Sequence, residues 1–171
     1  MPLTNSSPRI CLGIDPGIGR MGWGLVYQLG LDFRAIKYGC FETPAHTPTS
    51  TRLLTLYEGI RELITSCSPH FMSIEKLYFG QNRTTAEAVW QARGVALLAA
   101  AQFGLEVIEP KPAEAKVAVC GDRRATKTQV QGMVRILLGL KEVPKPDDTA
   151  DALAIAITGL SLYQYERGWA R

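Results

Sequence analysis

The sequence predicts an α/β fold, a five-stranded mixed sheet flanked by helices on both faces. Three observations carry that prediction. Apolar runs of strand length stop abruptly on a carboxylate, at residues 9–17 and again at 71–75. The first three runs are joined by links too short for a crossover, so they form an antiparallel meander. The later runs are separated by segments of helical period, which bring strands back parallel and leave helices on the faces of the sheet.

Taken in order, the first strand covers 9–17 and delivers Asp15 to its end. Pro16 lacks a ladder donor and Gly17 tolerates unusual backbone angles, so pairing stops just past the acid. A second strand follows at 21–27. Gly22 and Gly24 share one of its faces, which implies close backbone approach there. A third strand is predicted at 33–41, then a loop, then a helix capped by Thr49, Ser50 or Thr51 and running to Cys67. Pro69 and His70 break that helix before the buried strand 71–75. A helix over 84–103 ends at Gly104, a fifth strand is read at 105–109, and helices follow at 113–119, 127–138 and 147–165.

The 171 residues suit one domain with a sizeable core. We expect a short flexible extension at 1–8, the domain at 9–165 and a tail at 166–171. A net charge of +3 is too small to identify a partner by itself. The four cysteines are scattered without a Cys-x-x-Cys pair, which favours reduced thiols over a disulfide framework. The first residues lack a basic stretch followed by an apolar one, and the longest apolar run, 95–101, is too short to span a bilayer. A cytoplasmic protein without membrane contact is expected.

The chemistry lies in the acids. Each has an ordinary role when taken singly. Asp15 suits a turn, Glu75 suits a pair with Lys76, and Asp147, Asp148 and Asp151 suit the positive end of a helix. Together they form a pattern: two strands end on acids, and Asp148 and Asp151 project from one face of the last helix. The run of alanines at 150, 152, 154 and 156 lets that helix lie close on a sheet. Two like charges about 4 Å apart repel by roughly 4 kcal/mol at an effective dielectric of about 20, so such a cluster raises its pKa values or recruits cations. With only two histidines, both in loops, the donors are oxygens, which suit Mg²⁺ or Mn²⁺ and phosphoryl-transfer chemistry.

Four motifs in this order carry a resemblance: Gly13-Ile14-Asp15-Pro16-Gly17, Ile74-Glu75, Gln91-Ala92-Arg93-Gly94-Val95 and Asp148-Thr149-Ala150-Asp151-Ala152-Leu153-Ala154. Lys127-Thr128-Gln129-Val130-Gln131 fits as well. The chain resembles the RuvC family of Holliday-junction resolvases over nearly its whole length. The resemblance implies a ribonuclease-H-like fold, a homodimer, contact with a branch-migration complex, and hydrolysis of DNA at four-way junctions with two divalent metal ions per site. It implies that Asp15, Glu75, Asp148 and Asp151 are the catalytic, metal-binding acids, with Asp147 a competitor for the place of Asp148. Lys116 and Lys127 match basic positions near DNA. Tyr78 stands where the family has an aromatic residue inserted at the junction, and Phe79, next to it, shares the assignment.

Charge distribution adds to this. Residues 111–145 hold eight basic side chains against three acids, a local excess of +5, including Lys111, Arg123 and Arg124. Such a segment suits a face that binds a phosphate backbone, though an ordinary solvated surface has the same composition. Two other functions fit parts of the pattern. An ATPase of the actin or sugar-kinase kind needs a second lobe and another glycine-rich loop, for which the chain has no room. A non-catalytic junction-binding module would use the acids only as helix caps.

Overall fold

The computed structural model describes residues 8–78 and 83–168, with side chains for all of these but 83–85 and 164–168. Its elements are β1 (Arg9–Asp15), β2 (Arg20–Leu29), β3 (Asp32–Glu42), α1 (Thr49–Cys67), β4 (Phe71–Ile74), α2 (Arg83–Gln102), β5 (Glu106–Ile108), α3 (Pro112–Cys120), α4 (Lys127–Leu137) and α5 (Asp147–Gly168). The strands form one sheet in the order β3-β2-β1-β4-β5, antiparallel through the meander and parallel from β1 to β4 and β5. The mixed sheet is as the sequence predicts. Most element ends fall within two residues of expectation. The last helix runs three residues into the segment read as a tail, and the N-terminal extension is described only at Pro8.

Alternation along the strands sorts the core into two layers. Leu12, Ile14, Met21, Trp23, Met72 and Ile74 face α1 and α2, where they meet Leu56, Ile60 and the buried alanines of α2. Cys11, Val26 and Phe71 point the other way, toward α3, α4 and α5. Asp15 and Glu75 have the parity of Cys11 and Phe71, so both acids belong to the face that α5 covers.

Two expectations change in detail. None of the hydroxyl residues caps α1: Pro48 occupies the N-cap position, its carbonyl accepts from Arg52 N at 3.1 Å, and no side chain bonds the first turn. His70 is more than a loop residue, since its Nδ1 accepts the Ile10 N–H at 3.0 Å and ties the start of β1 to the segment before β4. The cysteines are free thiols, with Cys11 buried and the other three half-buried. Among the described residues no helix is long and apolar enough to cross a membrane.

Candidate active site

The parallel register of β1 and β4 sets Ile14 beside Ile74, so the residues that follow, Asp15 and Glu75, leave the sheet side by side at its carboxyl edge. Open α/β sheets receive their ligands at that edge. Across the hairpin, Asp15 pairs with Gly22. A Cβ added at Gly22 would lie 1.8 Å from the Asp148 carbonyl oxygen, and one at Gly13 would lie 2.2 Å from that of Ala152. Only glycine fits at either place. These two residues let the backbone of α5 come down onto the backbone of β1 and β2, which carries Asp148 and Asp151 to the strand ends.

The result is a cleft of about 230 Å³ whose lining includes Asp15, Glu75 and Asp151 together with Lys116 of α3 and Lys127 of α4, above apolar Val130 and Ile155. Asp148 is not in that lining, but its charge acts on Asp15. Burial, and then the charges of Asp151, Asp148 and Glu75, push the Asp15 carboxyl from an ordinary 3.8 up to about 7. Burial and the Asp151 charge raise Glu75 as well. The chain supplies some relief of its own. Lys127 Nζ lies 2.9 Å from Asp151 and 3.5 Å from Asp147, and hydrogen bonding to Asp151 raises the ammonium above its usual range. Arg20 Nε lies 3.1 Å from Asp148 Oδ2. The contact is an ion pair without a hydrogen bond's direction, because that buried oxygen has no hydrogen-bond partner. Among the described residues no three His, Cys, Asp or Glu side chains form a ready-made ion cage. Asp147, Asp148 and Asp151 are instead drawn onto cations of the chain, Lys127 and Arg20.

The structure places the residues that the sequence singles out as follows. Asp15, Glu75 and Asp151 share the cleft with Lys116 and Lys127. Asp148 sits one helical step away, and it rather than Asp147 is coupled to Asp15. Asp147 is the more exposed of the two and shares Lys127 with Asp151. Lys111 precedes α3, where its N–H donates to Glu114 Oε2 at 2.7 Å. Arg123 and Arg124 are exposed in the turn between α3 and α4, outside the cleft lining. Tyr78 is exposed, three residues past Glu75. Phe79 lies outside the described residues.

Two basic residues near the acids have no role that the sequence pattern assigns. Arg20 is one. Its signal is parity, since it shares a strand face with Gly22 and Gly24. Arg93 is the other: it is buried in α2, pairs with Glu109, and donates through Nε to the Glu75 carbonyl oxygen at 3.3 Å. It thereby ties the ends of β4 and β5 together beside the acid. Its place in the Gln91-Ala92-Arg93-Gly94-Val95 motif marks the position, but the motif does not name its partners.

Comparison with known proteins bears on the family and the fold. The family model described as "Crossover junction endodeoxyribonuclease RuvC" matches residues 11–159. A protein of that name from Desulfitobacterium hafniense is 56% identical over 148 residues, covering 86% of this chain and 90% of its own length. The one from Heliobacterium modesticaldum is 51% identical over 148 residues, covering 86% of this chain and 91% of its own. Among solved structures, Thermus thermophilus RuvC in complex with a Holliday junction substrate superposes with a TM-score of 0.84 at 32% identity, over 91% of this chain and 96% of that one. The yeast mitochondrial Holliday junction resolvase shares the fold, with a TM-score of 0.65 at 14% identity over 93% of this chain and 82% of that one. With sequence and fold both matched over most of its length, the chain belongs to the RuvC family of crossover junction endodeoxyribonucleases.

Proposed function

We propose that this chain is a structure-selective endonuclease that resolves four-way DNA junctions by paired, symmetric nicks, in homologous recombination and DNA repair. One observation carries the reading. Acids from three separate segments gather at the carboxyl edge of the sheet, bordered by Lys116 and Lys127. Four carboxylates are a hard, all-oxygen donor set, and a buried Asp15 opposed by three like charges favours a cation beside it. Asp15, Glu75, Asp148 and Asp151 would therefore hold two Mg²⁺ ions, or Mn²⁺ in their place. Such ions, when bound, activate water and stabilise the leaving oxygen of a phosphodiester.

The chain's own residues do the rest. Asp15 and Glu75, fixed at the ends of paired strands, orient the donor set. Lys116 and Lys127 hold the phosphates of the strand to be cut, and Lys111, Arg123 and Arg124 extend that contact along the backbone. Tyr78, with Phe79 beside it in sequence, stacks on bases at the junction. By analogy with the family, hydrolysis leaves 5′-phosphate and 3′-hydroxyl ends. A four-way junction is nearly two-fold symmetric, so paired nicks call for two sites, and a C₂ homodimer supplies them. Exposed Leu54 on α1 and Leu98 on α2 are apolar surface on one helical layer suited to such a contact. Cooperation with a branch-migration complex, and action in the cytoplasm, follow from the same reading.

Incubation with a synthetic mobile junction, with and without divalent metal, tests the proposal. Symmetric nicks bearing 5′-phosphates, formed only with metal, are expected. Saturable junction binding with no cutting in Mg²⁺ or Mn²⁺ would leave a binding module and end the enzyme reading.

A further inference from the structure

Two cations reach the first turns of α5 from different layers of the fold. Lys127 comes from α4 and lines the cleft. Arg20 comes from the sheet, and neither it nor Asp148 belongs to the cleft lining. Lys127 thus stands within the cleft lining and Arg20 outside it, each on an acid of the first turns of α5.

The backbone just before Arg20 is held firmly. The Thr43 N–H donates to the Gly19 carbonyl at 3.0 Å, the Thr43 hydroxyl donates to the Ile18 carbonyl, and Arg52 Nε donates to that hydroxyl at 2.8 Å. The turn before β2 is therefore pinned to the loop that follows β3. Two residues on, Gly22 touches the Asp148 backbone, so Arg20 needs no long reach to the Asp148 carboxylate. Yet the contact spends little of what either group offers. Asp148 Oδ2 is buried with no hydrogen-bond partner, and the Arg20 side chain is 55% exposed. A guanidinium has five donors and suits phosphate oxygens.

We propose that Arg20 is a positioning residue that holds Asp148 in the cation-free site, yields it to an arriving divalent cation, and then takes a phosphate oxygen of the DNA strand on the side of the acids away from the Lys127 cleft. The inference rests on the nuclease reading above and extends it. Arg20 competes with the metal before it helps the substrate. Its two contributions therefore separate by condition, which a merely structural arginine would not do.

The test uses the full chain, with Arg20→Gln and Arg20→Lys variants. In calorimetric titration with Mg²⁺ and no DNA, Arg20→Gln binds the ion roughly fivefold more tightly than the parent, as loss of a partly exposed competing pair permits. Junction binding is then followed against salt. In EDTA the slope of log K against log salt is the same for Arg20→Gln and the parent. In Ca²⁺, whose looser coordination disfavours cutting, the slope falls by about 1 for Arg20→Gln. Arg20→Lys restores it. Mg²⁺ affinity unchanged or weakened in Arg20→Gln, or equal slope losses in EDTA and Ca²⁺, overturns the assignment of Arg20. A parent protein that gives no saturable heat with Mg²⁺ and cuts no junction overturns the nuclease reading itself, and the Arg20 proposal with it.

Discussion

On the face of the sheet covered by α1 and α2, Leu12, Ile14, Met21 and Met72 interlock with Leu56, Ile60 and Leu63. On the face covered by α5, the strands present Gly13, Gly22 and Gly24, and Ser73 meets Gly159 of the helix. One layer is spaced by side chains, which adjust to a lost or added methyl by changing rotamer. In the other, side chains also pack, but at Gly13 and Gly22 backbone meets backbone, which has no such slack. All four candidate acids belong to the second layer, at the end where strands and helix converge. The difference teaches where precision is stored. Large side chains on both faces supply stability, and glycines on the α5 face set the height of that helix above the sheet and with it the position of Asp148 and Asp151.

The largest expected effect lies in the acids themselves. Asp151→Asn is expected to lower junction cleavage about 10³-fold, equal to about 4 kcal/mol of transition-state stabilisation, while junction binding persists. Cleavage at the parent rate would remove Asp151 from the site. Next come paired substitutions on the two faces. Gly22→Ala forces a methyl into the Asp148 carbonyl and is expected to cost about 3 kcal/mol of stability, with cleavage per folded molecule reduced at least about tenfold, on the order of 1.4 kcal/mol. Ile60→Val, on the other face, costs about 1 kcal/mol and leaves cleavage per folded molecule unchanged. Denaturant unfolding alongside single-turnover cleavage measures both. Equal losses of specific activity would break the comparison.

The third prediction concerns pH in the absence of divalent ions. Native Asp15 keeps its proton up to about pH 7, whereas the unfolded carboxyl releases it near 3.8. Between those values the native state binds more protons. Its contribution to stability is therefore complete below the lower value and is lost as pH rises through the upper one. Asp15→Asn is expected to flatten that fall and to raise the melting temperature above neutral pH, where the parent must hold an opposed charge. A parent whose melting temperature rises steadily from pH 4 to pH 7 while the variant's stays flat would contradict it. The smallest effect is expected at α4. There Thr126 accepts the Gln129 N–H at 3.2 Å and Gln129 Oε1 accepts the Thr126 N–H at 2.8 Å, in the turn that presents Lys127. Thr126→Ala should cost about 1 kcal/mol by thermal unfolding and weaken junction binding only slightly.

Much of this arrangement is legible in the residue order, for physical reasons. The strand ends at Asp15 and Glu75 are readable because an apolar run that stops on a carboxylate marks the point where a buried strand meets solvent or a ligand; that both acids share one face needs the β1–β4 register. The close approach at Gly22 and Gly24 is readable because two glycines on one strand face leave no side chain to pack there. Pairing partners are not. Arg20 and Arg93 are single charges without a repeat or motif that names their partners, and the Asp148 and Glu75 contacts they make join segments far apart in the chain. The preference for Asp148 over Asp147 is readable from its three-residue spacing to Asp151, but its action on Asp15 is a property of how α5 packs on the sheet.

By itself, then, the sequence determined the kind of sheet, the segments that bear acids, the helix able to lie close, and the basic stretch beside it, because periodicity and turn chemistry act over a few residues. Only the tertiary structure decided which cation sits on which acid, that Asp148 rather than Asp147 acts on Asp15, and that Arg20 stands beyond the cleft that holds Lys127. Those are matters of distance between elements, and they are set by how closely two backbones approach, which no local pattern encodes.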